Sequence, residues 1–160
     1  MNKVILSFVL CLMFASRAIP QNKADENQAG ESVKSFYAAF NSHDFSDARN
    51  YTAEDWVHIN PFGGSTHGRE ATLKDLHEVH STFLKGVTDK IDELTVRLVA
   101  TDVAIVTVTS HMSTFTTPNG VKHDNQRNIR TFVVVKQNGL WLIAQDQNTR
   151  ITSINETTPQ

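Results

Sequence analysis

Beyond residue 87 the chain is written for β-structure, and this second half decides what the whole can become. Residues 88–100, 103–116, 121–136 and 140–151 are rich in Val, Ile, Thr and Phe, the branched and aromatic types that suit a pleated surface. Thr101-Asp102, Pro118-Asn119-Gly120 and Asn138-Gly139 punctuate them as turns. The first half has a helical period instead. Val33, Phe36, Tyr37 and Phe40 recur at spacings of three and four over residues 28–40, which gives a helix with an aromatic stripe. Leu73, Leu76, His77, His80 and Phe83 do the same over residues 68–83, closed by Gly86. Helices first and long strands afterwards predict an α+β domain, with the helices packed in a strongly curved antiparallel sheet.

The strand that joins the two halves carries the chemistry. In Asp55-Trp56-Val57-His58-Ile59-Asn60-Pro61, alternation sends Trp56, His58 and Asn60 to one face and Val57 and Ile59 to the other. An aromatic ring beside two hydrogen-bonding side chains reads as one wall of a polar-bottomed pocket. Two histidines inside the apolar stripe of the second helix, His77 and His80, add to it. An imidazole titrates near neutral pH, so His58 and His80 are the candidate proton carriers. The alternative is that they are core histidines bonded to carbonyls. A zinc site would need His58 to join His77 and His80, with no Asp or Glu on that helix face, and none is expected.

A two-residue turn at Asn138-Gly139 pairs Lys136 with Trp141, Val134 with Ile143, Phe132 with Gln145 and Arg130 with Gln147. Arg130 and Gln147 then share a face and join Trp56, Asn60 and His77 as candidate substrate-binding residues. Arg130 on an interior strand needs a carboxylate or an anionic ligand. A slip of one residue would bring Asp146 over Arg130 and displace Gln147. Both faces of this hairpin are substantially apolar. Helices can cover only one, so a second subunit on the outer sheet face, a homodimer, is expected.

Composition bounds the setting. Lys3 followed by an apolar run to Ala15, with Ser16-Arg17-Ala18 after it, reads as a signal peptide over residues 1–18, cleaved after Ala18. The run is too short for a membrane span, so the product is expected to be secreted or periplasmic and free of the membrane. Cys11, the single cysteine, lies within the leader. Removing the leader leaves 13 basic against 17 acidic residues, and their scatter offers nothing to nucleic acid. Residues 19–27 read as a disordered linker, 28–152 as the domain and 153–160 as a disordered tail. Two sequons, at Asn50 and Asn155, matter only in a host that glycosylates.

Several motifs together resemble a known family. They are Phe40-Asn41-Ser42-His43-Asp44, Trp56-Val57-His58-Ile59-Asn60-Pro61-Phe62-Gly63, Gly68-Arg69-Glu70, His77 with His80, and the ending Gly139-Leu140-Trp141-Leu142-Ile143-Ala144-Gln145-Asp146-Gln147-Asn148-Thr149. In order and spacing they are similar to the SgcJ/EcaC group of the SnoaL-like branch of the nuclear-transport-factor-2-like superfamily. The resemblance implies a cone-shaped fold enclosing a pocket, commonly dimeric through the outer sheet face. That superfamily holds isomerases, dehydratases, epoxide hydrolases and cyclases, and also domains that only bind or assemble.

No Gly-x-Gly-x-x-Gly follows a strand and no Gly-x-Ser-x-Gly elbow is present. Neither a dinucleotide cofactor nor a serine nucleophile is expected. What is left is proton transfer by His58 or His80 in a cofactor-free isomerase, dehydratase or cyclase acting on a small, partly apolar molecule. The competing expectation is a non-catalytic ligand-binding or assembly module.

Overall fold

The first helix is longer than its aromatic stripe. In the computed structural model, which describes residues 18–152, α1 spans Ala18–Ser42. The segment read as a disordered linker, 19–27, is therefore helical. Its anchor is Asp25, whose Oδ1 accepts from Lys136 Nζ at 2.6 Å and from Trp141 Nε1 at 3.2 Å. Both donors lie far away in sequence, so local composition could not show the contact. The helix ends with His43 in the left-handed region (φ 57°). His43 N donates to Phe40 O and Asp44 N to Ala39 O, the paired closure that satisfies the last carbonyls of a helix. Asp44 accepts from Ser46 N, and a three-residue 3-10 turn follows at Ala48–Asn50.

Strand β1 (Thr52–Ile59) leads through a tight turn to β2 (Ser65–His67) and helix α2 (Arg69–Ser81). The remainder is β3 (Asp89–Ala100), β4 (Val103–Met112), the short β5 (Phe115–Thr116) and β6 (Lys122–His123), β7 (Gln126–Gln137) and β8 (Leu140–Arg150). Six strands form one sheet in the order β2-β1-β8-β7-β4-β3, and β5 and β6 form a separate pair. The sheet is mixed rather than wholly antiparallel, because β1 lies parallel to β8.

One face of this sheet carries the helices. Val106, Val108, Phe132, Val134 and Ile143 point inward and have no exposed surface. Phe36 of α1 meets Tyr37, Phe45, Trp56 and Phe132 with ring centroids 5.7 to 6.4 Å apart. Gly30 lets α1 approach β3: a Cβ there would lie 3.3 Å from Val96 Cγ2. The opposite face presents Val103, Ile105, Val133 and Val135, all half-buried.

The β7–β8 hairpin begins in the expected register, with Lys136 against Trp141 and Val134 against Ile143. Ala144 then bulges out, so Val133 faces Gln145, Phe132 faces Asp146 and Arg130 faces Asn148. The expected pairs Phe132–Gln145 and Arg130–Gln147 are thus each displaced by one residue. Since side chains alternate, the slip turns Asp146 and Asn148 into the core and Gln147 out to solvent. Asp146 is fully buried. It accepts from Trp56 Nε1 at 2.8 Å and lies 3.7 Å from Arg130 Nε.

The leader and the tail expected at 1–18 and 153–160 lie outside the described residues, apart from Ala18. Removing the buried carboxylate strands a buried guanidinium. Asp146→Ala should therefore cost about 3–5 kcal/mol, measured as the change in unfolding free energy by urea titration, and Asp146→Asn should cost less.

Candidate active site around His58 and Asp146

Alternation along β1 places its polar side chains as expected. Trp56 is buried beneath the sheet's inner face, and His58 and Asn60 follow it toward the open end. They border a cavity of about 190 Å³. Its apolar wall comes from α2 and the turn after it, through Leu76, Val79, Phe83 and Leu84, with Phe40, Met112 and Phe115 opposite. Its polar floor is His58, Arg130 and Asn148.

Asp146 holds the floor together. His58 Nδ1 lies 3.1 and 3.0 Å from the two carboxylate oxygens. A carboxylate only accepts, so Nδ1–H donates and Nε2 is the ring nitrogen left for a ligand. Arg130 is 5% exposed, with its guanidinium carbon 5.0 Å from the Phe36 ring centroid. Its Nε and Nη1 have no hydrogen-bond partner among the described residues. The 3.7 Å approach to Asp146 is too long for a hydrogen bond. A buried donor without an acceptor is costly, and Arg130 is among the residues that line the cavity.

Behind Arg130 lies a second buried carboxyl. Burial pushes Asp89 upward, and the Arg130 charge opposes the shift. Tyr37, whose hydroxyl is 3.4 Å from Ser110 Oγ, is also raised, again chiefly by burial. Neither borders the cavity, so they support the floor from below.

Of the residues expected from sequence, His58, Asn60 and Arg130 border the cavity. Asn60 is largely spent on its own turn, its Oδ1 accepting from Phe62 N at 2.9 Å and Gly64 N at 3.1 Å. Trp56 does not reach the cavity, and its indole N–H supports Asp146. Gln147 is exposed on the other sheet face, turned away by the Ala144 bulge. His77 is exposed on α2, edge-on to Phe45. His80 is buried but faces α1 rather than the cavity. Its Nδ1 lies 2.5 Å from His43 Nδ1, and its ring packs edge-on against Phe40 and Phe45. Helical spacing showed that His80 points inward, and packing decided what it meets there. Among the described residues no group of three His, Cys, Asp or Glu side chains is placed to hold a metal ion. Two residues of the site, Asp146 behind the floor and Asn148 on it, were not among the candidates expected from sequence. Asp146 was visible only as the product of a slipped register, and Asn148 carried no local signal.

The His80 placement has a consequence for stability. Burial, with His43 and His77 close by, pushes its imidazole down from 6.5 to about 4. The unfolded chain binds this proton at higher pH than the folded one does. The stabilisation is therefore complete above a pH of about 6.5 and is lost as the pH falls toward about 4. Denaturant midpoints of the wild type should fall across that window, and His80→Met should flatten the decline.

The model of the SnoaL-like domain matches residues 33–142. No match is found among curated proteins. A protein of cystatin-like fold from Caulobacter vibrioides, described as uncharacterized, superposes with a TM-score of 0.75 at 20% identity, covering 84% of this chain and 94% of that one. A protein from Shewanella frigidimarina, provisionally described as a ketosteroid isomerase, gives 0.62 at 23% identity, covering 76% and 94%. One from Novosphingobium aromaticivorans, provisionally described as a scytalone dehydratase, gives 0.66 at 15%, covering 84% and 89%. At these identities the structural likeness speaks for the fold. With residues 33–142 matched by the family model, the chain belongs to the SnoaL-like domain family.

Proposed function

We propose that the cavity binds a small, partly apolar carbonyl compound and that His58 moves a proton on it, as a cofactor-free isomerase, dehydratase or cyclase would. The observation that carries this reading is the His58–Asp146 contact. The carboxylate occupies Nδ1, which leaves Nε2 as the base at the cavity. In the step envisaged, Nε2 takes a proton from the carbon beside a carbonyl, and the electron pair moves to the carbonyl oxygen. Arg130, with two unpaired N–H groups, stabilises the oxyanion as it forms. The floor is roofed by apolar side chains, which strengthens both interactions. The names attached to the Shewanella and Novosphingobium proteins are of the same reaction type and support the reading by analogy of fold.

The second reading, a ligand-binding or assembly module without turnover, draws on Asp146 itself. That carboxylate is engaged by Trp56 and lies beside Arg130, a use that needs no reaction.

The same proposal extends to assembly and place. The half-buried row of Val103, Ile105, Val133 and Val135 on the sheet's outer face supports a homodimer through that face. The apolar run after Lys3 supports secretion or a periplasmic location, and the ordered motifs support placement in the SgcJ/EcaC group.

Butyrophenone, a small ketone with exchangeable protons beside its carbonyl, separates the two readings. In deuterated buffer the wild type should accelerate exchange, read by proton NMR. His58→Gln should lower the acceleration by roughly 100- to 10,000-fold while leaving the circular dichroism unchanged. Absence of exchange above buffer in the wild type favours the binding module. For the assembly, sedimentation velocity should show a dimer that Ile105→Lys converts to monomer, and a monomeric wild type removes the dimer.

A further inference from the structure

The cavity does not end at Arg130. A side arm of about 40 Å³ adjoins it and shares Met112, Phe115 and Asn148 with it. This volume holds about three water-sized groups, the size of a carboxylate. Its polar lining comes from His123 of β6 and from the open end of the β7–β8 hairpin. Asn128 and Arg150 face one another there, so their side chains leave the sheet on the same side.

Two buried amides line the arm, and one of them has a donor unspent. Asn128 is 3% exposed and its Nδ2 has no partner among the described residues, while Asn148 is 5% exposed. A native fold rarely leaves such groups empty-handed, and a ligand is one reason to keep them so. At the rim stands the exposed Arg150, which makes no ion pair among the described residues. The acid in the neighbouring β5–β6 hairpin, Asp124, is engaged by the Thr114 hydroxyl. A cation and a buried amide donor thus flank a slot of carboxylate size, one step along the inner face from the His58–Arg130 floor.

We propose that this arm is a second subsite, for a carboxylate, and that the substrate is a keto acid held at both ends. Its ketone lies on the His58–Arg130 floor and its carboxylate between Asn128 and Arg150. The apolar carbons between them lie against Met112 and Phe115. This rests on the reading of the main cavity as a site of carbonyl chemistry and narrows it to one substrate class. Arg150 selects, and His58 reacts.

Butyrophenone and 4-oxo-4-phenylbutanoate share one ketone and differ at the far end, methyl in one and carboxylate in the other. The methyl ester of the acid restores its length without its charge. Dissociation constants by ligand-observed NMR should place the acid about tenfold tighter than either neutral probe, as a charge-assisted hydrogen bond would. Arg150→Gln should bring the acid to the level of its ester and leave both neutral probes unchanged. Equal binding of the three by the wild type, an equal loss for all three in Arg150→Gln, or no binding of the acid overturns the subsite. Exchange of the ketone's α-protons in wild type and His58→Gln is read in the same samples. Exchange that depends on His58 without an acid preference sinks the subsite alone. An acid preference without such exchange sinks the proton-transfer reading and leaves the subsite standing.

Discussion

A carboxylate with no exposed surface cannot be left without donors, and the interior of this domain is arranged around meeting that need at Asp146. The groups of this cluster come from three places in the sequence. Trp56 and His58 arrive from β1, Arg130 from β7, and Asp146 itself from β8. Those three strands must therefore lie side by side, in the order β1-β8-β7, and in one register. The parallel pairing of β1 with β8 and the bulge at Ala144 both serve that arrangement. Without the bulge Asp146 would face solvent, Trp56 and His58 would each lose an acceptor, and Arg130 would lose its ion-pair partner.

The same constraint builds the cavity. Asp146 draws His58 and Arg130 to the sheet's inner face, while α1 fills the space beneath them with aromatic rings and α2 roofs the space above. Phe36 lies under the Arg130 guanidinium, so the cation is supported on its π-face and keeps its N–H edge for other partners. His43 and His80 join the end of α1 to α2 away from this chemistry. The floor is thus polar, fixed and partly unsatisfied, under a roof that is apolar. Such a combination suits a reaction in which charge develops on a bound oxygen.

Much of this was readable from local pattern. The alternation of Trp56, His58 and Asn60 is a property of any strand, and the 3–4 spacing of Val33, Phe36, Tyr37 and Phe40 is a property of any helix. Both emerged as expected because no distant contact opposes them. The misplacements share another origin. Gln147 was assigned to the pocket by counting back from the Asn138-Gly139 turn, and a single bulged residue reversed every side chain beyond it. His80 was correctly read as inward, but the inside of this domain contains both a packed core and a cavity, and helical period does not distinguish them. Residues 19–27 are polar in composition, and Asp25 among them finds its donors more than a hundred residues later.

What the sequence alone determined is the set of elements and the face each side chain prefers, since these depend on period, turn chemistry and hydrophobicity within a few residues. Those properties sufficed for the fold class, for the α1 core and for His58 as a pocket residue. Tertiary structure decided the register of β8 against β7, and with it the partner of His58, the exposure of Gln147 and the unpaired edge of Arg130. Register is a global property. It is settled by the combined demands of a buried carboxylate, a buried guanidinium and an indole N–H on three strands, none of which can be satisfied within its own segment.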